Sequence, residues 1–144
     1  AVADPGGSLV EAAHAAGVRV VPVVGPSSLL LALMGSGLNG QKFAFHGYLP
    51  IDAAARLKEV KRLESESKAH AQTQLFIETP YRNMPLLDTL LKTLNANTQL
   101  CVAADLTLPS ETIRMHRVGE WQKRLKQGQG LELNKRPSIF LFLA

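Results

Sequence analysis

The sequence predicts an α/β fold: the end of a parallel-sheet subdomain over residues 1–38, followed by a mixed-sheet α/β subdomain over residues 39–144. Three observations carry this. Short apolar runs bounded by Gly and Pro alternate with longer segments of helical period. The run Val18 to Val24 is almost wholly apolar and β-branched, the pattern of a strand covered on both faces. With 46% apolar and 19% charged residues among 144, the chain is too hydrophobic for disorder and long enough to bury a core.

Each element follows from local chemistry. Pro5-Gly6-Gly7 is a turn, and Ser8 with Glu11 three residues on predicts a capping box opening a helix. Leu9, Val10, Ala13 and Ala16 recur at helical spacing, and Gly17 is placed as its stop. The Val18 to Val24 strand then breaks at Gly25-Pro26-Ser27-Ser28, and a second helix starts at Leu29 and ends in the Gly35 to Gly40 segment. The boundary between subdomains is expected near residues 38–42. Beyond it, Phe43 to His46 reads as a strand closed by the turn Gly47-Tyr48-Leu49-Pro50. Asp52 to Lys68 is a charged amphipathic helix carrying Ala55, Leu57, Val60 and Leu63. Thr73 to Ile77 is a strand interrupted by Thr79-Pro80, and Asn83 to Leu94 a helix with Leu87, Leu90, Leu91 and Leu94 on one side. Leu100 to Ala104 is a strand, and Glu111 to Val118 alternates as a half-exposed antiparallel one does. Trp121 to Lys126 is a short helix, and Ser138 to Leu143 a closing strand.

Charge and composition exclude several functions. The longest apolar runs fall well short of the roughly 20 residues of a membrane-spanning helix. Cys101 is the only cysteine, so the chain holds neither an internal disulfide nor a multi-cysteine zinc site, which fits a cytoplasmic protein. His14, His46, His70 and His116 are too dispersed to predict a metal site. Sixteen basic against 12 acidic residues give a net charge of +4, and residues 114–144 hold seven basic and two acidic groups. Such a patch attracts phosphate-rich partners or forms a solvated face.

Three segments are candidates for chemistry. A strand entering Gly25-Pro26-Ser27-Ser28 and then a helix presents backbone N–H groups and hydroxyls where open α/β sheets bind ligands. The turn is neither a P-loop nor a nucleophile elbow, and a capped helix start is its plain alternative. Glu78-Thr79-Pro80-Tyr81-Arg82 packs a carboxylate, an aromatic and a guanidinium into a turn after a buried strand, facing a ligand or pairing Glu78 with Arg82. Asp105-Leu106-Thr107 adds a carboxylate and a hydroxyl after the next strand.

In order along the chain, Val2-Ala3-Asp4-Pro5-Gly6, Val20 to Ser28, Phe45-His46-Gly47-Tyr48-Leu49-Pro50, Ile77 to Arg82 and Asp105-Leu106-Thr107 resemble the tetrapyrrole (corrin/porphyrin) methylase family of S-adenosylmethionine-dependent methyltransferases. The nearest branch in appearance methylates a cytidine ribose 2′-hydroxyl in small-subunit ribosomal RNA. The resemblance implies two α/β subdomains with S-adenosyl-L-methionine in the cleft between them, a homodimer, and a longer protein whose Gly-x-Gly-x-Gly-Asp motif precedes Ala1. It places Val2, Ser27, Ser28, Ala104 and Pro137 beside the cofactor, and Tyr81, Arg82 and Arg136 beside the substrate, with Glu78 and Asp105 as the carboxylates available to a hydroxyl nucleophile. At Ala104-Asp105-Leu106-Thr107-Leu108 the chain departs from the Arg-Glu-Leu-Thr-Lys usual in that branch.

The expected function is therefore methyl transfer, with RNA as the acceptor. One alternative keeps fold and cofactor but methylates a tetrapyrrole or other small molecule. Another makes the chain a non-catalytic dimerisation and docking module.

Overall fold

Five α-helices, a short 3-10 helix (Pro80–Arg82) and five strands form among residues 5–144, the part of the chain described by the computed structural model. Helix α1 spans Gly7–Ala15 and α2 Ser28–Ser36; strand β1 is Phe43–Tyr48, α3 Ala53–His70, β2 Thr73–Ile77 and α4 Asn83–Thr93. Strand β3 is Gln99–Ala104, β4 Thr112–Arg117, α5 Val118–Lys126 and β5 Ser138–Leu143.

The strands make one mixed sheet in the order β1-β2-β5-β3-β4. β1 and β2 are parallel, joined across α3; β5 lies antiparallel between β2 and β3; β4 pairs antiparallel with β3 at the edge. Period-two alternation gives the sheet two buried faces. On one, Phe76, Leu100, Val102, Phe140 and Phe142 meet Val60 and Leu63 of α3, the leucines of α4, and Trp121 of α5. Phe76 and Phe140 stack across β2 and β5 with ring centroids 6.0 Å apart, and the Trp121 indole N–H donates to the Leu100 carbonyl at 2.9 Å. On the other, Leu75, Cys101, Ala103 and Leu141 meet Ala32 and Leu33 of α2.

Most elements sit where the sequence puts them, because their signals are local. Asp52 caps α3 by accepting from the Ala55 N–H at 2.8 Å. Gly17 ends α1 at φ 67, with the Val18 N–H donating to the Ala13 carbonyl at 2.9 Å and its own to His14 at 3.1 Å, a Schellman arrangement. Ser8, by contrast, lies inside α1, whose cap is Gly6 with no side-chain hydrogen bond, so the predicted capping box does not form. Leu57 of α3 faces solvent, the inner stripe being Val60, Leu63 and Ser67.

The larger correction concerns Val18 to Val24, which is not a strand. The segment has no regular structure, and Val23 and Val24 are 89% and 98% exposed. β-Branched residues fit a pleated, covered surface but do not create one. No strand of the described residues runs beside these seven, so they have neither a hydrogen-bond ladder nor a cover. Helix α2, placed by the sequence reading at the end of the first subdomain, packs on β3, β4 and β5. No helix of the described residues is long and apolar enough to cross a membrane.

Two substitutions test this division of labour. Phe140→Ala, in a fully buried position of the central strand, should destabilise the chain by about 3–5 kcal/mol in urea unfolding. Val24→Ser should change stability by no more than about 0.5 kcal/mol, as an exposed site outside any ladder does.

Candidate functional site

Because β1, β2 and β3 run the same way, their carboxyl ends open on one sheet edge, where β4 and β5 begin. A crevice of about 390 Å³ lies there. Ile77, Glu78 and Pro80 wall it after β2, Ala103 and Asp105 at the end of β3, and Pro137 and Ser138 at the start of β5. Ser28, the first residue of α2, closes it from the second face of the sheet, and Leu106, Leu108 and Ile139 complete an apolar lining. A mostly apolar concavity with a few convergent polar groups is the usual character of a small-molecule site, and this volume falls within the roughly 300–1,000 Å³ such sites span.

Two carboxylates reach this edge, each held by an arginine. Glu78 Oε1 accepts from the Thr79 N–H at 2.7 Å and from Arg82 Nε and Nη2 at 2.9 and 2.7 Å. Its side chain is fully buried, and Oε2 has no partner among the described residues. An orphaned, desolvated carboxylate oxygen is costly to the fold. Asp105 Oδ2 accepts from Arg136 Nε at 2.7 Å and from the Ser110 hydroxyl at 2.9 Å. Arg136 also donates to the carbonyls of Glu132 and Ser110 and to Thr112 Oγ1. One guanidinium thus ties the exit of β3, the 105–111 loop, the start of β4 and the approach to β5. Arg136, with help from Ser110, holds the Asp105 carboxyl below the usual carboxylate range.

The same loop is conformationally strained. Asp105 sits at φ 53 and Thr107 at φ 72, and a β-branched residue at positive φ is a genuine outlier. The Thr107 N–H donates to Glu111 Oε2 at 2.7 Å and the Leu108 N–H to the Asp105 carbonyl at 2.9 Å, so the turn is fastened from within. Asn83, fully buried at the start of α4, donates to the carbonyls of Leu133 and Arg136 and lies 3.2 Å from the Ser138 hydroxyl, fixing the β5 side of the crevice.

Of the residues singled out from sequence, the crevice gathers Ser28, Glu78, Asp105 and Pro137. Ser27 caps α2 through its backbone, its carbonyl accepting from the Leu31 N–H at 2.9 Å, and does not line the crevice. Ala104 turns its methyl to the opposite face of the sheet; Ala103, one residue earlier, lines the crevice. Tyr81 is 75% exposed beyond the rim, Arg82 is paired with Glu78, and Arg136 is spent on its brace. Val2 lies outside the described residues. His46 bonds Gln74 Oε1 at 2.6 Å on the sheet. Burial pushes the Cys101 thiol up to about 12, which leaves no thiolate for chemistry. Sequence reasoning missed the lining residues Leu106 and Leu108, although Pro109 and Ser110 beside Asp105 are turn signals that mark the loop.

Comparison with known proteins bears on this geometry. No family model matches the chain. It is 33% identical over 134 residues to ribosomal RNA small subunit methyltransferase I of Pasteurella multocida, covering 93% of this chain and 45% of the relative. It is 39% identical over 112 residues to the protein of that name from Xylella fastidiosa, covering 78% of the chain and 40% of the relative. The chain therefore spans less than half the length of these curated relatives. Among solved structures, the methyltransferase CobJ superposes with a TM-score of 0.56 at 15% identity, over 94% of this chain and 57% of that one. Uroporphyrin-III-C-methyltransferase from Thermus thermophilus gives 0.56 at 22% identity, over 99% and 59%. A complex of the Thermus thermophilus enzyme with S-adenyl homocysteine gives 0.52 at 20%, over 99% and 60%. At those identities the structures establish a shared fold.

The brace predicts an acid dependence. A carboxyl whose folded value lies below its unfolded one stabilises the fold above the unfolded value, and that stability is lost as pH falls through the folded one. The thermal midpoint of the wild-type chain should therefore drop below about pH 4. Asp105→Asn keeps an acceptor for Arg136 and tolerates the left-handed backbone. It should lower the midpoint near neutrality and flatten the acid limb, as scanning calorimetry across pH would read.

Proposed function

The chain is related to a stretch of the ribosomal RNA small subunit methyltransferase I proteins and has the tetrapyrrole methylase fold, and from that premise we propose that its crevice holds S-adenosyl-L-methionine in a protein that methylates ribosomal RNA. The observation that carries the reading is the convergence of Ser28, Glu78, Asp105 and Pro137, from four separate elements, on one largely apolar cavity. The lining fits an adenosyl group: flat apolar walls at Ile77, Leu106, Leu108 and Pro137, with hydroxyls at Ser28 and Ser138.

When bound, the cofactor supplies an electrophilic methyl group on a sulfonium. The protein's share of an in-line displacement is positioning and water exclusion. Pro137, Leu106 and Leu108 shield the site, and the first N–H groups of α2 beside Ser28 offer donors to an acceptor atom of the ligand. Of the two carboxylates, Glu78 is the better proton acceptor for a hydroxyl nucleophile: its Oε2 has no partner, whereas Asp105 is held ionised by Arg136. Arg82 orients Glu78 through Oε1, and Tyr81, exposed outside the crevice, is available to a base or sugar of the substrate.

The reading includes a first subdomain ending near residue 38 and a cytoplasmic homodimer. The lone buried Cys101 and the apolar, uncovered Val21, Val23, Val24 and Met34 support these parts.

Calorimetry with S-adenosylhomocysteine tests the core of the proposal. Binding should raise the melting temperature, with about 2.7 kcal/mol of added stability at a hundredfold excess over Kd; no heat and no shift at millimolar ligand would end it. In the whole protein, Glu78→Gln should cut methylation of ribosomal RNA by about 10²–10⁴-fold while changing cofactor affinity little.

A further inference from the structure

We infer that the phosphate backbone of the RNA docks outside the crevice, along edge strand β4 and helix α5. The inference rests on the reading that RNA is the acceptor, and adds where the protein grips it.

The crevice itself is unsuited to phosphate. Its two carboxylates, Glu78 and Asp105, are each matched by one arginine, so Arg82 and Arg136 carry no spare charge toward a ligand. Arg136 in addition spends donors on Glu132, Ser110 and Thr112. A phosphate entering there would meet carboxylates without a free cation.

A cluster of unpaired cations lies next door. Residues 112–126 carry Arg114, Arg117, Lys123, Arg124 and Lys126 against Glu120 alone, which equals the +4 net charge of the whole chain; everything else is balanced. Arg114, Lys123 and Lys126 are exposed, and their side chains make no ion pair or hydrogen bond among the described residues. Among the described residues, β4 is an edge strand, paired only with β3. Its alternation turns Ile113 and Met115 toward α2, and Arg114 and His116 toward α5, where the His116 ring packs edge-on against Trp121 at 5.2 Å. Burial, with Arg124 and Arg114 nearby and Glu120 opposing, keeps His116 below its usual value. It is therefore neutral at pH 7, and the positive field there belongs to the arginines and lysines.

The path has two defined ends. At one, Thr112 touches Arg136, whose neighbour Pro137 lines the crevice. At the other, Arg117 enters a polar cleft of about 410 Å³ shared with Lys68 and Asn97. Six strand residues span about 20 Å between them, enough for a few nucleotides. Guanidinium groups bind phosphate oxygens in bidentate fashion. An anionic bilayer fits less well, because α5 turns Val118 and Trp121 into the core and leaves only Leu125 as an exposed apolar side chain to insert.

Anisotropy of a fluorescein-labelled single-stranded oligoribonucleotide, titrated with this chain over a series of salt concentrations, tests the surface. The triple variant Arg114→Ala, Lys123→Ala, Lys126→Ala should bind at least tenfold more weakly at low salt. Its slope of log K against log salt should shrink by about two, since each lost phosphate contact removes roughly 0.7. A control, Lys58→Ala with Lys61→Ala on the exposed side of α3, should keep the wild-type slope. The inference is overturned if the triple variant keeps the wild-type slope, if the control loses as much, or if phosphatidylserine vesicles bind the chain and RNA does not. Retained affinity for S-adenosylhomocysteine in the triple variant separates these failures from failure of the methyl-transfer reading, which would show as no cofactor binding by the wild type.

Discussion

Everything in this sheet depends on the insertion of β5 between β2 and β3. Ser138 to Leu143 is hydrogen-bonded on both sides, and its alternating side chains feed both cores: Phe140 and Phe142 on the side of α3 and α4, Ile139 and Leu141 on the side of α2. Without β5, the β1–β2 pair and the β3–β4 pair share no ladder. The strand comes from the last residues of the chain, so its closure is a long-range contact that no local propensity specifies. It also sets Pro137 against the exits of β2 and β3, and thereby creates the crevice.

A second constraint is charge balance at that edge. Two carboxylates pulled out of water at the carboxyl ends of strands require partners, and Arg82 and Arg136 supply them. The two pairs differ in what they leave free. Arg82 satisfies only one oxygen of Glu78, whereas Arg136 is the hub of a network joining four chain segments. The first pair leaves one carboxylate oxygen without a partner among the described residues; the second is architecture. Neutralising the crevice in this way leaves the net positive charge of the chain outside it, on β4 and α5.

Much of the fold was legible because its signals are short-range. Asp52 before α3, Gly17 after α1, the leucines of α4 and the apolar alternation of β4 each act within a turn or two of chain. The run Val18 to Val24 failed for the complementary reason: it carries a similar apolar signal to β5, but strand formation requires a neighbour, and β5 has two where this run has none among the described residues. In the site, Ser28, Glu78 and Asp105 were legible as polar residues in turns at the ends of strands or the start of a helix, and Pro137 only through the family resemblance. The exchange of Ala104 for Ala103 reflects strand parity, in which one residue of register moves a side chain to the other face. Arg136 read as a free cation because a guanidinium announces its charge but not its partners.

The sequence by itself determined the class of fold, the order and bounds of most elements, the family resemblance, and the concentration of positive charge toward the carboxyl end, since these follow from periodicity, turn chemistry and composition. The tertiary structure alone decided which apolar run became the central strand, which alanine faces the crevice, and which arginines are spent on carboxylates and which are left without such a partner. Those outcomes depend on contacts between residues far apart in the chain, such as Arg136 with Asp105 and Asn83 with Ser138. Pairing of that kind is a property of the folded arrangement, where burial makes an unmatched charge too costly to leave alone.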